Sequence, residues 1–136
     1  MDSSDEPPSA PANLSLELHE HTPPLAALRR RISEVFGDLS QDLIEDVQLA
    51  VTELVSNAYD HGLHPRRLRL RRVEVSRRLR VEVDDASPNQ PVLGRSRISA
   101  TRGRGLIIVD KIAEDWGVVR RSIGKTVWAE LLFDEA

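Results

Sequence analysis

The chain has 136 residues, 40% apolar and 30% charged, which suits one globular domain with a real core. It has no cysteine, so disulfide staples, thiolate zinc sites and cysteine nucleophiles are excluded, and a reducing compartment such as the cytoplasm is expected. The net charge of -3 hides a segregation, since eight of the fifteen residues from Arg66 to Arg80 are arginine. No apolar run of about eighteen residues is present for a membrane span, and the N-terminus lacks the basic and apolar regions of a secretory signal, so no membrane or export role is expected.

Residues 1–12 are rich in Pro, Ser and acid and lack large apolar groups to offset ordering entropy. They read as a disordered tail, leaving 13–136 as a single domain. Alternating Leu14, Leu16 and Leu18 predict a short strand. Thr22 followed by Pro23 and Pro24 marks a helix start, and Leu25, Leu28, Ile32, Val35 and Phe36 supply its buried stripe until Gly37. Ser40 is placed to cap a second, longer helix ending near His61 and Gly62, with Leu43, Val47, Ala50, Val51, Leu54, Val55 and Ala58 facing the core.

That second helix carries ELVSNAYDHG from Glu53 to Gly62. Glu53 and Asn57 are four residues apart, which stacks an acid and an amide on one face at the border of the apolar stripe. Two meanings follow from the residues alone: a solvated helix face, or a carboxylate and an amide that share a metal-bound ligand.

Leu68 to Asp85 contains two alternating runs separated near Arg77 and Arg78, as in an antiparallel hairpin. Parity places Leu79, Val81, Val83 and therefore Asp85 on the interior face, with Arg80, Glu82 and Asp84 outward. An interior carboxylate needs donors, from a ligand's amino edge or from the turn before Pro88 that it would cap. The arginines fit the outward face, where their stems cover the sheet. An acidic protein partner suits that face better than nucleic acid, because aromatics for base stacking are almost absent.

Arg95 to Arg104 is polar, basic and punctuated by Gly94 and Gly103, as expected of a connection. GRGLIIVDKIAEDWG then predicts a helix with Val109, Ile112, Ala113 and Trp116 inward, and glycines ahead of a helix N-terminus expose backbone donors to an anion. Residues 117–123 and 125–133 predict a final strand pair, with Val127, Ala129, Leu131 and Phe133 on one apolar face.

The ordered set of Glu53 and Asn57 on a helix, Asp85 at a strand end, the glycine loop and Gly124-Lys125-Thr126 resembles the GHKL nucleotide-binding superfamily with the Bergerat fold. Within it, the set is most similar to the small bacterial anti-sigma-factor serine kinases. The likeness spans roughly residues 13 to 133. It implies an α+β fold: a two-layer α/β sandwich whose mixed, mostly antiparallel sheet is covered on one face by helices. It implies ATP and Mg2+ as cofactors, a sigma factor and a small antagonist protein as partners, and a homodimer.

By the same resemblance, Asn57 corresponds to the magnesium ligand, Glu53 to the acid that orients or deprotonates the nucleophile, and Asp85 to the acceptor of the adenine amino group. Gly103, Arg104, Gly105 and Leu106 fall in the lid and helix start that wrap the phosphates. Ser87 lies in the adenine turn, and Thr126 where the family supports the adenine pocket. The family's D-x-G-x-G is here Asp85-Ala86-Ser87-Pro88-Asn89, and side chains at both glycine positions predict weakened nucleotide affinity. The rival expectation is a non-catalytic partner-switching module with weak or absent nucleotide binding.

Overall fold

The computed structural model describes residues 13–87 and 104–133. In chain order it places β1 (Leu14–Leu18), α1 (Leu25–Val35), α2 (Gln41–His61), β2 (Arg66–Val73), β3 (Arg78–Asp85), α3 (Arg104–Ile112), β4 (Asp115–Arg120) and β5 (Lys125–Leu132). The 1–12 tail and the connection containing Gly94 and Gly103 lie outside the described residues, as do Pro88 and Asn89.

The period-two pattern of β2, β3 and β5 builds the sheet that organises the molecule. Strand order is β1-β2-β3-β5-β4, and every described pairing is antiparallel. Register lines up the inward residues in rows: Leu68 opposite Val83 opposite Val127, then Leu70, Val81 and Ala129. All six are buried and form the floor of the core, so cross-strand packing and burial act on the same side chains.

The helices cover that floor. α2 buries Ile44, Val47, Ala50, Val51, Leu54, Val55 and Ala58, a stripe at helical spacing in which each large side chain contributes roughly 1.5–3 kcal/mol. Its N-terminus is capped by Ser40, whose Oγ accepts from Leu43 N at 3.1 Å. α1 adds Leu28, Ile32 and Phe36, and α3 adds Val109. The architecture is therefore α+β, with a five-stranded antiparallel sheet and helices on one face.

One expected boundary moves. The helix predicted to carry Trp116 inward ends at Ile112, and Trp116 belongs to β4. Strand β5 has backbone groups to satisfy on its outer side, and Glu114 N already donates to Glu130 O at 2.7 Å. Trp116 stands opposite Ala129 and still packs on the core, now from an edge strand.

The outer face is built from charge. Arg69 Nη2 donates to both oxygens of Asp84 at 2.9 Å, and Arg80 reaches Glu82 at 2.6 Å and Glu130 at 2.7 Å while lying 4.3 Å from the Trp128 ring centroid. Arg67 pairs with Glu17 on this face, whereas Arg72, opposite Leu79 on the helix-covered side, pairs with Asp38. Much of the arginine surplus read from the sequence is thus matched by acids of β1, β3, β5 and the α1–α2 turn.

Candidate functional site

The C-terminal half of α2, the end of β3 and the start of β5 meet at one end of the sheet. Two glycines make that meeting possible. A Cβ on Gly62 would lie 2.5 Å from the Asp85 Cγ and 2.7 Å from its Oδ2, so the helix end rests directly on the carboxyl group. Gly124 has φ +87°, and a Cβ there would run into the Asp85 carbonyl oxygen. Ala86 N donates to Leu63 O at 2.9 Å, tying the strand end to the chain that leaves α2.

Arg66 fixes the helix end from below. Its Nε donates to Ala58 O at 2.9 Å and its Nη2 to Gly62 O at 3.2 Å, while the guanidinium carbon sits 4.3 Å from the Tyr59 ring centroid. A cation on the last carbonyls of a helix complements the dipole, here adding a second donor to Ala58 O, which also accepts from Gly62 N. Sequence reasoning places this arginine among the solvent-facing ones. Its parity with Leu68 and Leu70 is the signal that points inward instead.

Asp85 points to the helix-covered face, as parity predicts, and its side chain is 1% exposed. It is not waiting there without donors. Lys125 Nζ lies 3.0 Å from Oδ1 and 2.9 Å from Oδ2, and Ser87 N donates to Oδ1 at 2.7 Å. Lys125 is itself 3% exposed and stands directly opposite Asp85 in the β3–β5 register. Of the two uses left open by its sequence, the aspartate makes the turn cap, and a buried ammonium, which sequence reasoning does not weigh, supplies its other donor. Ser87 is buried and contributes its backbone N–H to this arrangement.

Glu53 and Asn57 project from α2 at partly buried positions. Burial pushes the Glu53 carboxyl above the usual glutamate range. Neither side chain makes a hydrogen bond or ion pair among the described residues. A partly desolvated acid with no counter-charge among the described residues, one turn from an amide, is poor structural design and a good ligand set. Nine residues separate Glu53 from Gly62, about 13 Å of helix axis, the kind of span a nucleoside triphosphate needs between terminal phosphate and base.

The other expected site residues divide between the two faces of the sheet and the start of α3. Arg104, Gly105 and Leu106 form the first turn of α3, which packs beside α2. Gly103 is outside the described residues. Thr126 lies on the sheet face opposite Asp85: its hydroxyl donates to Asp84 Oδ1 at 2.6 Å and accepts from Arg121 Nε at 2.7 Å. The structure brings Asp85, Ser87 and the α2 terminus together and leaves the Thr126 hydroxyl outside that group. Lys125, which sequence reasoning does not single out, takes the inner place.

The donor set can be tested against a magnesium nucleotide from these contacts. On α2 the donor types fit: an amide and an acid, neither with a partner among the described residues, stand one turn apart. At the base end, Asp85 has the right face but its carboxylate is already engaged. No group of three or more His, Asp or Glu side chains that could hold a metal occurs among the described residues.

Comparison with known proteins bears on the fold and the family. Solved structures with similar folds include the histidine kinase domain of a blue-light activated histidine kinase from Erythrobacter litoralis, at 18% identity and TM-score 0.54, covering 79% of this chain and 58% of that one. A second structure of that blue-light activated kinase matches at 18% identity and TM-score 0.59, covering 79% of this chain and 40% of that one. This chain thus spans about half the length of those solved structures. No curated protein matches it. Among the described residues, no helix is long and apolar enough to cross a membrane. Residues 19–131, most of the chain and all three elements of the site, match the histidine kinase-like ATPase domain, and the chain belongs to that family.

Proposed function

We propose that this chain is an ATP-binding regulatory kinase of the anti-sigma-factor type, which binds a sigma factor and transfers a phosphoryl group to a serine of a small antagonist protein. The observation that carries the reading is the Glu53–Asn57 pair: partly buried, without partners among the described residues, and set on the helix whose end rests on Asp85. Bound magnesium and ATP would supply the transferable phosphoryl group and the cation that offsets its charge. Asn57 would hold the cation through its side-chain oxygen. Glu53, with its raised pKa, orients the incoming serine hydroxyl and accepts its proton. The N-terminal amides of α3 offer donors to phosphate oxygens.

A second reading has its own support. With Asp85 held by Lys125 and Ser87 N, the fold could serve as a partner-switching module in which nucleotide binds weakly or not at all. Binding and transfer separate the two. Calorimetry with ATP and magnesium measures the first, and transfer of labelled phosphate to a cognate antagonist the second. The kinase reading requires Asn57→Ala to weaken magnesium-dependent binding. It also requires Glu53→Ala to keep nucleotide while losing transfer by roughly a hundredfold or more. Tight binding without transfer to a verified antagonist would favour the switch module.

A further inference from the structure

Seventeen arginines and only two lysines, Lys111 and Lys125, supply the basic side chains of this chain. Described ion pairs on the outer face of the sheet use arginine, whose planar fork suits fixed, partly wet pairs. The dry pair at Asp85 uses lysine. An ammonium on a flexible four-carbon stem is a point charge that can be withdrawn, whereas Asp85 is anchored by Ser87 N and walled by Gly62.

The acceptor capacity of this carboxylate is close to exhausted. Oδ1 receives both Lys125 Nζ and Ser87 N, Oδ2 receives Lys125 Nζ, and the helix end at Gly62 comes so near that a Cβ there would lie 2.7 Å from Oδ2. An amino group on a base can bond Asp85 only by taking a place the ammonium now holds. We propose that Lys125 is an internal competitor for the base amino group, displaced from Asp85 when nucleotide binds, and that this exchange sets affinity and base preference. The proposal rests on the nucleotide reading of the site. It assigns to Lys125 a specificity-determining role, with Asp85 as the group contested.

Binding through a fraction of molecules whose aspartate is released weakens the apparent affinity by that fraction. Removing the competitor, as in Lys125→Met, should therefore lower the dissociation constant for ATP by about tenfold or more, a common size for coupling between two binding events. Lys125→Gln, which keeps a donor without charge, should fall between the two. The gain should be larger for ATP, which carries a 6-amino group, than for ITP, which carries a carbonyl there.

Two measurements on the full chain test this. The first is calorimetric titration of wild type, Lys125→Gln and Lys125→Met with ATP and ITP in magnesium, with a melting curve for each protein. The second needs no variant: acylation of wild type by an amine-reactive reagent, with Lys111 as internal reference. Lys125 should label far more slowly than Lys111 in the unliganded protein. A non-hydrolysable ATP analogue at a calorimetrically saturating level should raise its labelling several-fold and leave Lys111 unchanged. Lys125 protected under saturating analogue overturns the exchange, as does equal ATP affinity in folded wild type and variants. Tighter wild-type binding of ITP than ATP also overturns it, because the ammonium would then be reading a carbonyl. If the folded wild type and both folded variants bind neither nucleotide at millimolar concentration, the nucleotide reading fails, and this inference with it.

Discussion

Asp84 and Asp85 are neighbours in sequence and inhabit different chemistries. Asp84 faces outward, with its side chain 29% exposed, and is held by the Arg69 fork and the Thr126 hydroxyl. Asp85 faces inward and is held by one buried ammonium and one backbone N–H. The outer pair sits where water lowers both the cost of charge and the value of pairing it. The inner pair sits where either partner alone would be a buried charge without compensation. A strand's two-residue period thus puts a wet scaffold and a dry, contestable pair within a single peptide unit.

The largest expected effect comes from breaking the inner pair. Asp85→Asn should cost about 3–5 kcal/mol, the usual penalty for stranding a buried partner, against about 1 kcal/mol or less for Asp84→Asn at the surface. Urea denaturation of both single variants measures the contrast. The double variant Asp85→Asn/Lys125→Met should regain part of the loss, since it removes both charges together. Equal costs for Asp84→Asn and Asp85→Asn would mean the two faces differ less in solvation than their burial implies.

Next in size are the glycines that allow the close approach. Gly124→Ala combines a positive φ with a collision against the Asp85 carbonyl and should destabilise by about 2–3 kcal/mol, in the range of other strained backbone positions. Gly62→Ala has no positive φ to satisfy, but its methyl would press on the carboxyl that Lys125 holds. Melting curves distinguish the cases. Gly124→Ala should lower the midpoint whatever happens at the ion pair, whereas the Gly62→Ala loss should shrink, without vanishing, in an Asp85→Ala/Lys125→Met background, where the clash with Ala58 O remains.

Much of this contrast is legible in the amino-acid pattern. Alternation of Leu79, Val81 and Val83 dictates the aim of Asp85, and the same rule applied backward from Val127 puts Lys125 inward and Thr126 outward. What alternation does not provide is register. That Asp85 and Lys125 face each other depends on the β3–β5 pairing across 40 residues, which is settled by how Leu79, Val81 and Val83 stack on Leu131, Ala129 and Val127. The end of α3 departs from its expected position for a related reason. Trp116 fits an inward helical position, yet hydrogen bonding to β5 captures that segment as a strand, a tertiary demand that local periodicity does not contain. Glu53 and Asn57 are legible as a pair, but their lack of partners among the described residues is a property of the surrounding elements.

Glu53 tests the comparison at a partly buried carboxylate that has no cation partner among the described residues. Its folded-state pKa is raised by burial, so the folded protein holds the proton more tightly than the unfolded chain over the affected window. Stability should then fall as pH rises from about 4.3, the ordinary glutamate value, through the raised folded value. Glu53→Gln should melt higher than wild type at neutral pH, and the two should converge near pH 4, below about the ordinary value. A variant that melts lower than wild type at neutral pH would show an ion partner for Glu53 and weaken its role as a base.

The smallest effect belongs to Asp38, the wet counterpart of Asp85. Arg72 grips it with a two-pronged contact, Nη1 to Oδ1 at 3.2 Å and Nη2 to Oδ2 at 2.7 Å, and that hydrogen bonding lowers the Asp38 pKa. The sign is opposite to that of Glu53. A depressed carboxyl contributes stability above its unfolded value of about 3.9, and the contribution disappears as pH falls through the lower folded value. Because the pair is exposed, salt should screen it within a Debye length of about 8–10 Å. Melting curves of wild type and Asp38→Asn should therefore differ slightly at neutral pH and low salt, converge in strong acid, and converge again in molar salt. Asp85→Asn should keep most of its deficit in molar salt, because the Asp85–Lys125 pair is shielded from the ions that screen Asp38. If salt erased both deficits alike, the Asp85–Lys125 pair would be as wet as the Asp38–Arg72 pair, and the case for a contested, desolvated aspartate would fall with it.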